Sequence, residues 1–425
     1  MYCYSSWSPR LSRLRLKEQS RHDLLTTGCG SLALDQNSTY YSDYPSDILV
    51  IKYLSIGRDI WARKALEIYS DPDDRAEKLL RCLPYQYSLA SQYNIKEAKR
   101  RLGECITRHP DCSYAIYSIL PRRVLDVQAS EGIDFWSLYK TIQDAIKGTQ
   151  KLGFRFLWVD ALCIIQDSPE DTARETGGVG EIYKNATLTI AAGNSPNAQA
   201  GFLAEKPWVK PYKLLFLLPN GSMGKVIVLP YRNFPLCHHK IRSPLSSRGW
   251  AFQGYILATR VLFFGCGDIW WKCQRTTLEP LYSTHSWPPT DNLPNFDKHP
   301  ELFGKGKTEP QVGPPKPLQI SERTWHPSEK RVIWAEIIKS YSCRELGDIR
   351  VHLPALAGVA ARLAALWKDK HLAGLWESFL LQQLSWYKTR PDDLSPNQTY
   401  LAPSWSWASV YRTVIMGEPI DFPAV

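Results

Sequence analysis

The sequence lacks an uninterrupted apolar run of about 20 residues, the length that an α-helix needs to cross a bilayer. The nearest stretch, residues 353–367, contains Arg362 and is typical of a buried or amphipathic helix. The ten cysteines form no recognisable disulfide framework, and no signal-peptide h-region precedes them. We therefore expect a soluble, cytoplasmic protein that has no membrane span and whose thiols are reduced.

The motifs of several common enzyme classes are also missing. The sequence contains no G-x-G-x-x-G, P-loop, H-E-x-x-H or G-x-S-x-G pattern, which argues against ordinary dinucleotide-binding folds, nucleoside triphosphatases, zinc proteases and serine hydrolases. Cys105, His109 and Cys112 lie close together, as do residues 237–239, but neither group has the paired C-x-x-C spacing of common zinc sites. These spacings predict no metal site.

The composition that is present indicates a folded protein. Its 425 residues exceed what one core usually supports, so we expect two or three packed units, and its 16 Trp and 22 Tyr residues argue against a disordered scaffold. The net charge of +10 is interspersed with acidic residues, which favours a solvated surface over nucleic-acid binding. A basic cluster near the start fits either a targeting or membrane-surface arm or a disordered tail; its members are Arg10, Arg13, Arg15, Lys17 and Arg21.

Hydrophobic periodicity predicts alternating helices and strands. Predicted helices span 57–70, 94–108 with Asn94 as N-cap, 135–153 with a stop at Gly153, a segment starting at Pro169, 332–342, 352–369 and 375–387. Predicted strands span 154–165, read as a central strand covered on both faces, and 187–192, 225–231, 260–265 and 268–273. This order implies an α/β unit with some parallel pairing.

We expect four segments along the chain. Residues 1–90 form a poorly defined N-terminal region, 91–279 the α/β domain, 280–325 a proline-rich linker and 326–425 a mainly helical C-terminal region. No internal repeat is visible.

Two separate blocks carry a resemblance to a known family. The first is FLWVDALCIIQDS at 156–168, and Glu175, Ile182, Tyr183, Asn185 and Ala186 follow it. The second is SSRGWAFQ at 246–253, and Trp271 and Cys273 follow it. In this order and spacing the blocks resemble the fungal heterokaryon incompatibility (HET) domain, with weaker likeness from about residue 95 to the end of the chain.

The sequence departs from the HET pattern at three places. A strand and loop resembling Y-x-x-L-S-Y-x-W-G usually stands before the helix that leads into LWVD, but here Val127 runs almost directly into that helix. Gly254 stands where the family usually has Glu, and Tyr139 where it usually has Pro. The first motif of the domain is therefore missing from this sequence.

The resemblance implies a fold and a reaction. HET domains are distantly similar to TIR domains, so the expected fold is a TIR- or flavodoxin-like, partly parallel sheet flanked by helices, with a mainly helical C-terminal region. Some TIR domains hydrolyse NAD, which implies cleavage of the bond between nicotinamide and ribose through an oxocarbenium-like transition state. NAD is then a substrate, and no cofactor is assigned with it.

Five residues are the predicted site. Glu175 is the candidate catalytic carboxylate, although a solvated glutamate on a helix surface fits the same position. Asp160, Gln166, Arg248 and Trp250 are the candidate ligand-binding residues, although Asp160 also fits a structural role, capping or pairing with an arginine such as Arg248. For Cys163 we expect a buried, inert thiol, and for Trp158 and Trp271 places in the core.

Three hypotheses follow for function. The chain is a non-self recognition protein that triggers programmed cell death, with NAD hydrolysis as its candidate activity; or a non-enzymatic interaction module of the same pathway; or a degenerate or mis-spliced inactive copy. The expected partners are proteins, either further copies of this chain or another incompatibility protein, and no nucleic acid.

Overall fold

The computed structural model describes part of the chain. The described residues are 66–71, 74–80, 88–109, 112, 121–129, 132–203, 212–218, 220–230, 243–265, 269–276, 278–281, 324–389, 400–410 and 413–417. The basic cluster near the start, residues 237–239 and residues 282–323 of the proline-rich segment lie outside them.

The described elements make this a mixed α/β protein. The helices are α1 (Arg75–Leu80), α2 (Gln92–Arg108), α3 (Lys140–Leu152), α4 (Asp160–Cys163), α5 (Pro169–Asn185), α6 (Gly249–Leu257), α7 (Pro327–Ser342), α8 (Ala357–Trp367) and α9 (Leu380–Gln383). The strands are β1 (Leu66–Ser70), β2 (Leu125–Asp126), β3 (Phe156–Leu157), β4 (Thr189–Ala191), β5 (Tyr212–Leu217), β6 (Met223–Pro230), β7 (Arg260–Phe264), β8 (Ile269–Cys273), β9 (Glu279–Pro280), β10 (His371–Leu372), β11 (Leu375–Trp376), β12 (Tyr387–Lys388) and β13 (Val414–Ile415).

One compact unit takes its residues from 1–85 and 208–238. Its described part is an antiparallel sheet of order β1-β6-β5, beside a small core of Ala76, Leu218 and Val226. The strand predicted at 225–231 is confirmed. The helix predicted over 57–70 is wrong at its end, because β1 pairs along its length with β6. The Leu-Glu-Ile-Tyr-Ser alternation has the two-residue period of a strand, and pairing with a neighbour decided between that and the helical period.

The second unit combines residues 86–207 and 239–425. Its largest described sheet has the order β4-β7-β8-β9, in which β4 is parallel to β7 and the other pairs are antiparallel. All five residues of β7 are buried, as are four of the five in β8. The strands predicted at 187–192, 260–265 and 268–273, and the expected parallel pairing, are confirmed.

The central strand predicted over 154–165 is wrong. Only Phe156–Leu157 is strand, and it pairs antiparallel with the two residues of β2. Phe156 is 57% exposed, and the chain then turns into α4 at Asp160. The buried apolar residues of this run, Cys163 and Ile164, lie at the end of a short helix and not between two sheet faces. Periodicity cannot make this distinction for short runs. The described sheets confirm the mixed α/β class and leave the TIR- or flavodoxin-like arrangement a hypothesis.

Helix ends follow local chemistry closely. Gly153, at φ 90°, ends α3 as predicted, although α3 begins only at Lys140, after a 3₁₀ turn. Pro169 occupies the first turn of α5 as expected, and Ser168 caps that helix. Asn94 is not the N-cap of α2: Ser91 is, and its Oγ accepts from the backbone N–H of Asn94 at 3.2 Å.

The C-terminal part of this unit is built on an aromatic core. Its largest buried side chains are Trp334, Tyr341, Trp376 and Trp407, and Phe252 and Ile256 of α6 belong to the same cluster. The predicted helices at 332–342 and 352–369 are confirmed as α7 and α8. The helix predicted over 375–387 is wrong at both ends, since only Leu380–Gln383 is α-helical and strands β11 and β12 flank it.

Among the described residues, Ile349–Trp367 is long and apolar enough, with a mean hydropathy of 1.4, to qualify as a candidate membrane span by length and composition. The stretch consists of two 3₁₀ turns followed by α8. Val359, Ala360 and Leu363 of α8 are buried in the aromatic core. In total, 33% of this window is buried, which fits the buried or amphipathic helix expected from the sequence.

Substitutions at two glycines, one in α5 and one in α6, test how closely these helices pack. A Cβ added at Gly254 meets Cζ of Tyr183 at 2.8 Å, whereas nothing lies within 4 Å of a Cβ added at Gly177. We expect Gly254→Ala to lower the free energy of unfolding by about 1–3 kcal/mol through overpacking. Gly177→Ala raises it by about 1 kcal/mol, because alanine is the better helix former. Denaturant titration measures both, and equal effects of the two substitutions would contradict the packing described.

Candidate functional site

Glu175, the predicted catalytic carboxylate, lies in the second turn of α5 and is 7% exposed. Its Oε1 atom is 3.8 Å from Nη2 of Arg123 and 3.8 Å from Nε of Arg174. A buried carboxylate is tolerated when cations compensate its charge, and these two arginines supply that compensation. The side chain is therefore part of an ion-pair network and not an isolated surface glutamate.

Asp171 is the hub of this network. Its carboxylate accepts hydrogen bonds from the guanidinium groups of Arg123 and Arg174 and, at 2.9 Å, from the backbone N–H of Ile165. The bonds from Arg123 and then from Ile165 hold the pKa of Asp171 well below its usual range. Asp171 thus stays ionised and fixes the start of α5 against the preceding loop.

Arg123 extends the network to a second part of the chain. Its Nε atom donates to the backbone carbonyl of Cys163 at 2.7 Å, while its Nη2 atom donates to Asp171. The side chain therefore ties the segment before β2 to the end of α4 and to α5. Sequence reasoning passed over both Arg123 and Asp171. The available signal for Asp171 was the S-x-x-D spacing from Ser168, which is typical of a helix start.

Asp160 and Gln166 are neighbours in the structure. Asp160 is exposed at the first residue of α4, and its Oδ1 accepts from the backbone N–H of Ala161 at 2.8 Å. Gln166 donates through Nε2 to the backbone carbonyls of Asp160 at 3.1 Å and Ile164 at 3.0 Å. Burial, and then the nearby Asp160 charge, raise the pKa of Tyr183. The two side chains stabilise the turn after LWVD.

The second sequence block connects α6 to the C-terminal segment. Arg248 is exposed and directly precedes α6. Its backbone forms an isolated parallel β-bridge with that of Glu345. Trp250 is half-buried against the aromatic core. Gln253 is 1% exposed, and its Oε1 accepts from the backbone N–H of Gly358 at 2.8 Å. The pairing considered between Asp160 and Arg248 is not among the contacts of the described residues.

Among the five predicted residues, Gln166 donates a hydrogen bond to the backbone carbonyl of Asp160. Within the described part of the chain, no hydrogen bond or ion pair joins Glu175 to any of the other four. A cavity of about 380 Å³ lies elsewhere, at the connection from β2 to α3. Its lining contains none of the five and consists of Leu125, Asp126, Val127, Ala129, Ile133, Phe135, Leu138, Ile146, Lys147 and Gln150.

Three further predicted residues are placed by the structure. Cys163 is 3% exposed, and burial raises the pKa of its thiol, as suits an inert buried cysteine. Trp271 is 2% exposed in the core of the four-stranded sheet. Trp158 is half-buried and makes an edge contact with Tyr183 at 6.1 Å between ring centroids.

A separate group of side chains has the donor types that hold metals. Cys105, His109 and Cys112, which are close in sequence, meet Cys273 from the end of β8. The ligand atoms of the four residues all lie within 4.8 Å of one another. The sequence could not predict that Cys273 joins this group, because no spacing rule relates residue 273 to residue 105.

Comparison with known proteins gives one match. Residues 118–254, about a third of the chain, match the family model described as heterokaryon incompatibility protein (HET). The matched range contains both blocks and all five predicted site residues, so the resemblance seen in the sequence is confirmed over this range. No curated protein matches the chain, and no solved structure does.

The Asp171 network predicts a pH dependence of stability. The folded pKa of Asp171 is depressed, so its stabilising contribution is complete above the unfolded pKa of about 4 and is lost as pH falls through the folded value. We expect the melting temperature of the wild type to fall more steeply below about pH 5 than that of Asp171→Asn. Asp167→Asn, an exposed change in the same loop, serves as control and should follow the wild type. Parallel wild-type and Asp171→Asn curves would rule this out.

Proposed function

We propose, from the premise that residues 118–254 form a HET domain, that this chain acts in heterokaryon incompatibility, as a non-self recognition protein that triggers programmed cell death. In this role the chain binds a protein partner and does not cleave NAD. The partner is another copy of the chain or another incompatibility protein.

The ion pairs of Glu175 are the reason for proposing partner binding instead of NAD cleavage. A carboxylate that supports an oxocarbenium-like transition state must face the sugar, in a pocket that admits the ligand. Glu175 instead lies beside Arg123 and Arg174 and is 7% exposed, and the cavity at the β2–α3 connection does not include it. NAD hydrolysis rests on the TIR resemblance alone and stays the competing prediction.

An exposed apolar surface supports assembly. Ile133, Trp136, Tyr139 and Phe156 are 51%, 78%, 57% and 57% exposed. Ile133 lines the cavity at the β2–α3 connection, Trp136 packs edge-on against Phe135 of the same lining, and Phe156 pairs with Asp126 of β2. Groups of exposed large apolar side chains are typical of protein-binding sites. We call these four residues the apolar surface.

The assembly hypothesis predicts which substitutions abolish cell death. In an inducible fungal expression assay, we expect growth arrest from the wild type and from Glu175→Gln, with no fall in cellular NAD in either strain. Trp136→Ser should abolish the arrest, because it removes the most exposed side chain of the apolar surface. Tyr400→Ser is the matched control, since Tyr400 is 79% exposed outside that surface, and should leave the arrest unchanged.

Purified protein separates the two mechanisms. Light scattering during size-exclusion chromatography should show concentration-dependent association that Trp136→Ser weakens and Tyr400→Ser does not. Nicotinamide release from NAD by the wild type, above the level of Glu175→Gln, would refute the assembly mechanism and establish the enzymatic one.

A second candidate is an incomplete copy of the domain, and the position of the cavity favours it. The family's first motif is missing between Val127 and Gly132. Val127, Ala129 and Ile133, which flank this junction, line the cavity at the β2–α3 connection. A hollow at the site of the missing strand and loop is what its removal would leave.

The incomplete-copy hypothesis predicts a longer transcript. We expect full-length cDNA to include messages with additional codons between those for Val127 and Gly132, encoding a segment that resembles S-Y-x-W-G. Sequencing the genomic DNA is the control. An uninterrupted genomic reading frame across these codons would exclude mis-splicing.

A further inference from the structure

The cluster of Cys105, His109, Cys112 and Cys273 is built by two elements of the second unit. Cys105 lies in the last turn of α2, and His109, whose backbone N–H donates to the Cys105 carbonyl at 3.2 Å, continues the same helical face. Cys112 follows in a turn, in which its backbone N–H donates a hydrogen bond to the His109 carbonyl at 3.0 Å. Cys273 is the last residue of β8. Three ligands at and just beyond the end of α2 thus face a fourth from the sheet.

The spacing of the four groups fits a tetrahedral ion. Zinc binds thiolate sulfur at about 2.3 Å and imidazole nitrogen at about 2.0–2.1 Å, so its ligand atoms stand roughly 3.4–3.8 Å apart. Here the four ligand atoms lie within 4.8 Å of one another, and Nδ1 of His109 is 3.5 Å from Sγ of Cys273. Side-chain adjustments of about 1 Å or less complete that geometry.

The surroundings are those of metal-bound thiolates. Arg260 is 1% exposed on β7, its Nε donates to Sγ of Cys105 at 3.2 Å, and its guanidinium also donates to the backbone carbonyl of Cys112. The hydroxyl of Thr276 lies 3.3 Å from Sγ of Cys273. Hydrogen bonds of this kind orient ligand sulfurs. A divalent ion with three thiolates carries one net negative charge, which the Arg260 cation balances inside the protein.

We propose that these four residues bind one zinc ion in a closed, structural Cys₃His site. Four protein ligands leave no open position for a substrate, which distinguishes structural from catalytic zinc. The ion would fasten the end of α2 to the four-stranded sheet at the end of β8. This assignment replaces the expectation, drawn from linear spacing alone, that the chain has no metal site, and it is independent of the function proposed for the HET domain.

Metal analysis of the purified full-length chain tests the proposal. We expect about one zinc per chain by inductively coupled plasma mass spectrometry, and less than about 0.2 in Cys273→Ser, because structural zinc needs its full ligand set. Cys163→Ser removes another buried cysteine and Cys237→Ser disrupts the other Cys-His group in the sequence; both controls should keep the ion. A zinc content near zero in the wild type, or one unchanged in Cys273→Ser, would overturn the proposal.

Cobalt substitution identifies the ligands even where a variant loses stability. We expect Co²⁺ in the wild type to show thiolate-to-metal charge-transfer absorption that rises from three to four thiolates in His109→Cys, a variant that keeps four ligands. Unchanged absorption in His109→Cys would exclude His109 as a ligand. A disulfide among Cys105, Cys112 and Cys273, detected as two missing thiols after denaturation without reductant, together with absent zinc, would also refute the site.

Discussion

The carboxylate of Asp171 is the contact on which the first family block depends. It holds Arg123, Arg174 and the backbone of Ile165 at once, and it is 4% exposed. Because an unpaired buried carboxylate is costly, these partners must be in place before the start of α5 can pack. The same two arginines lie 3.8 Å from Glu175, so the residue that the family resemblance nominates for catalysis shares its cationic partners with Asp171.

The second block serves the C-terminal segment in a similar way. The N–H of Gly249 donates to the carbonyl of Glu345 at 2.8 Å, and a Cβ at Gly249 would stand 2.4 Å from the Leu346 side chain. Gln253 accepts a hydrogen bond from the backbone N–H of Gly358. A Cβ added at Gly358 would lie 2.9 Å from the Gln253 amide. Close backbone approach therefore joins α6 to residues beyond the matched range. The matched segment and the C-terminal part of the chain share one core.

The Asp171 network, the glycine contacts of α6 and the cysteine cluster each fix a different part of the second unit. The Asp171 network fixes α5, the glycine contacts fix α6 against α8 and the segment after α7, and the cysteine cluster joins α2 to β8. The apolar surface around Trp136 belongs to none of them and faces solvent. Exposed aromatic side chains of this kind are what the proposed partner-binding function requires.

The sequence by itself determined the elements whose signals are local: the stop at Gly153, the start at Pro169, and the strands at 189–191, 260–264 and 269–273. It also carried the resemblance to the HET model over residues 118–254. Each depends on a residue's own backbone preference or on a short period. Tertiary structure decided the rest. Pairing with β6 made 66–70 a strand, and burial by a turn broke the run at 154–165. Only the fold brought Cys273 to Cys105 and Arg123 to Asp171, because contacts between distant residues leave no periodic trace in one sequence.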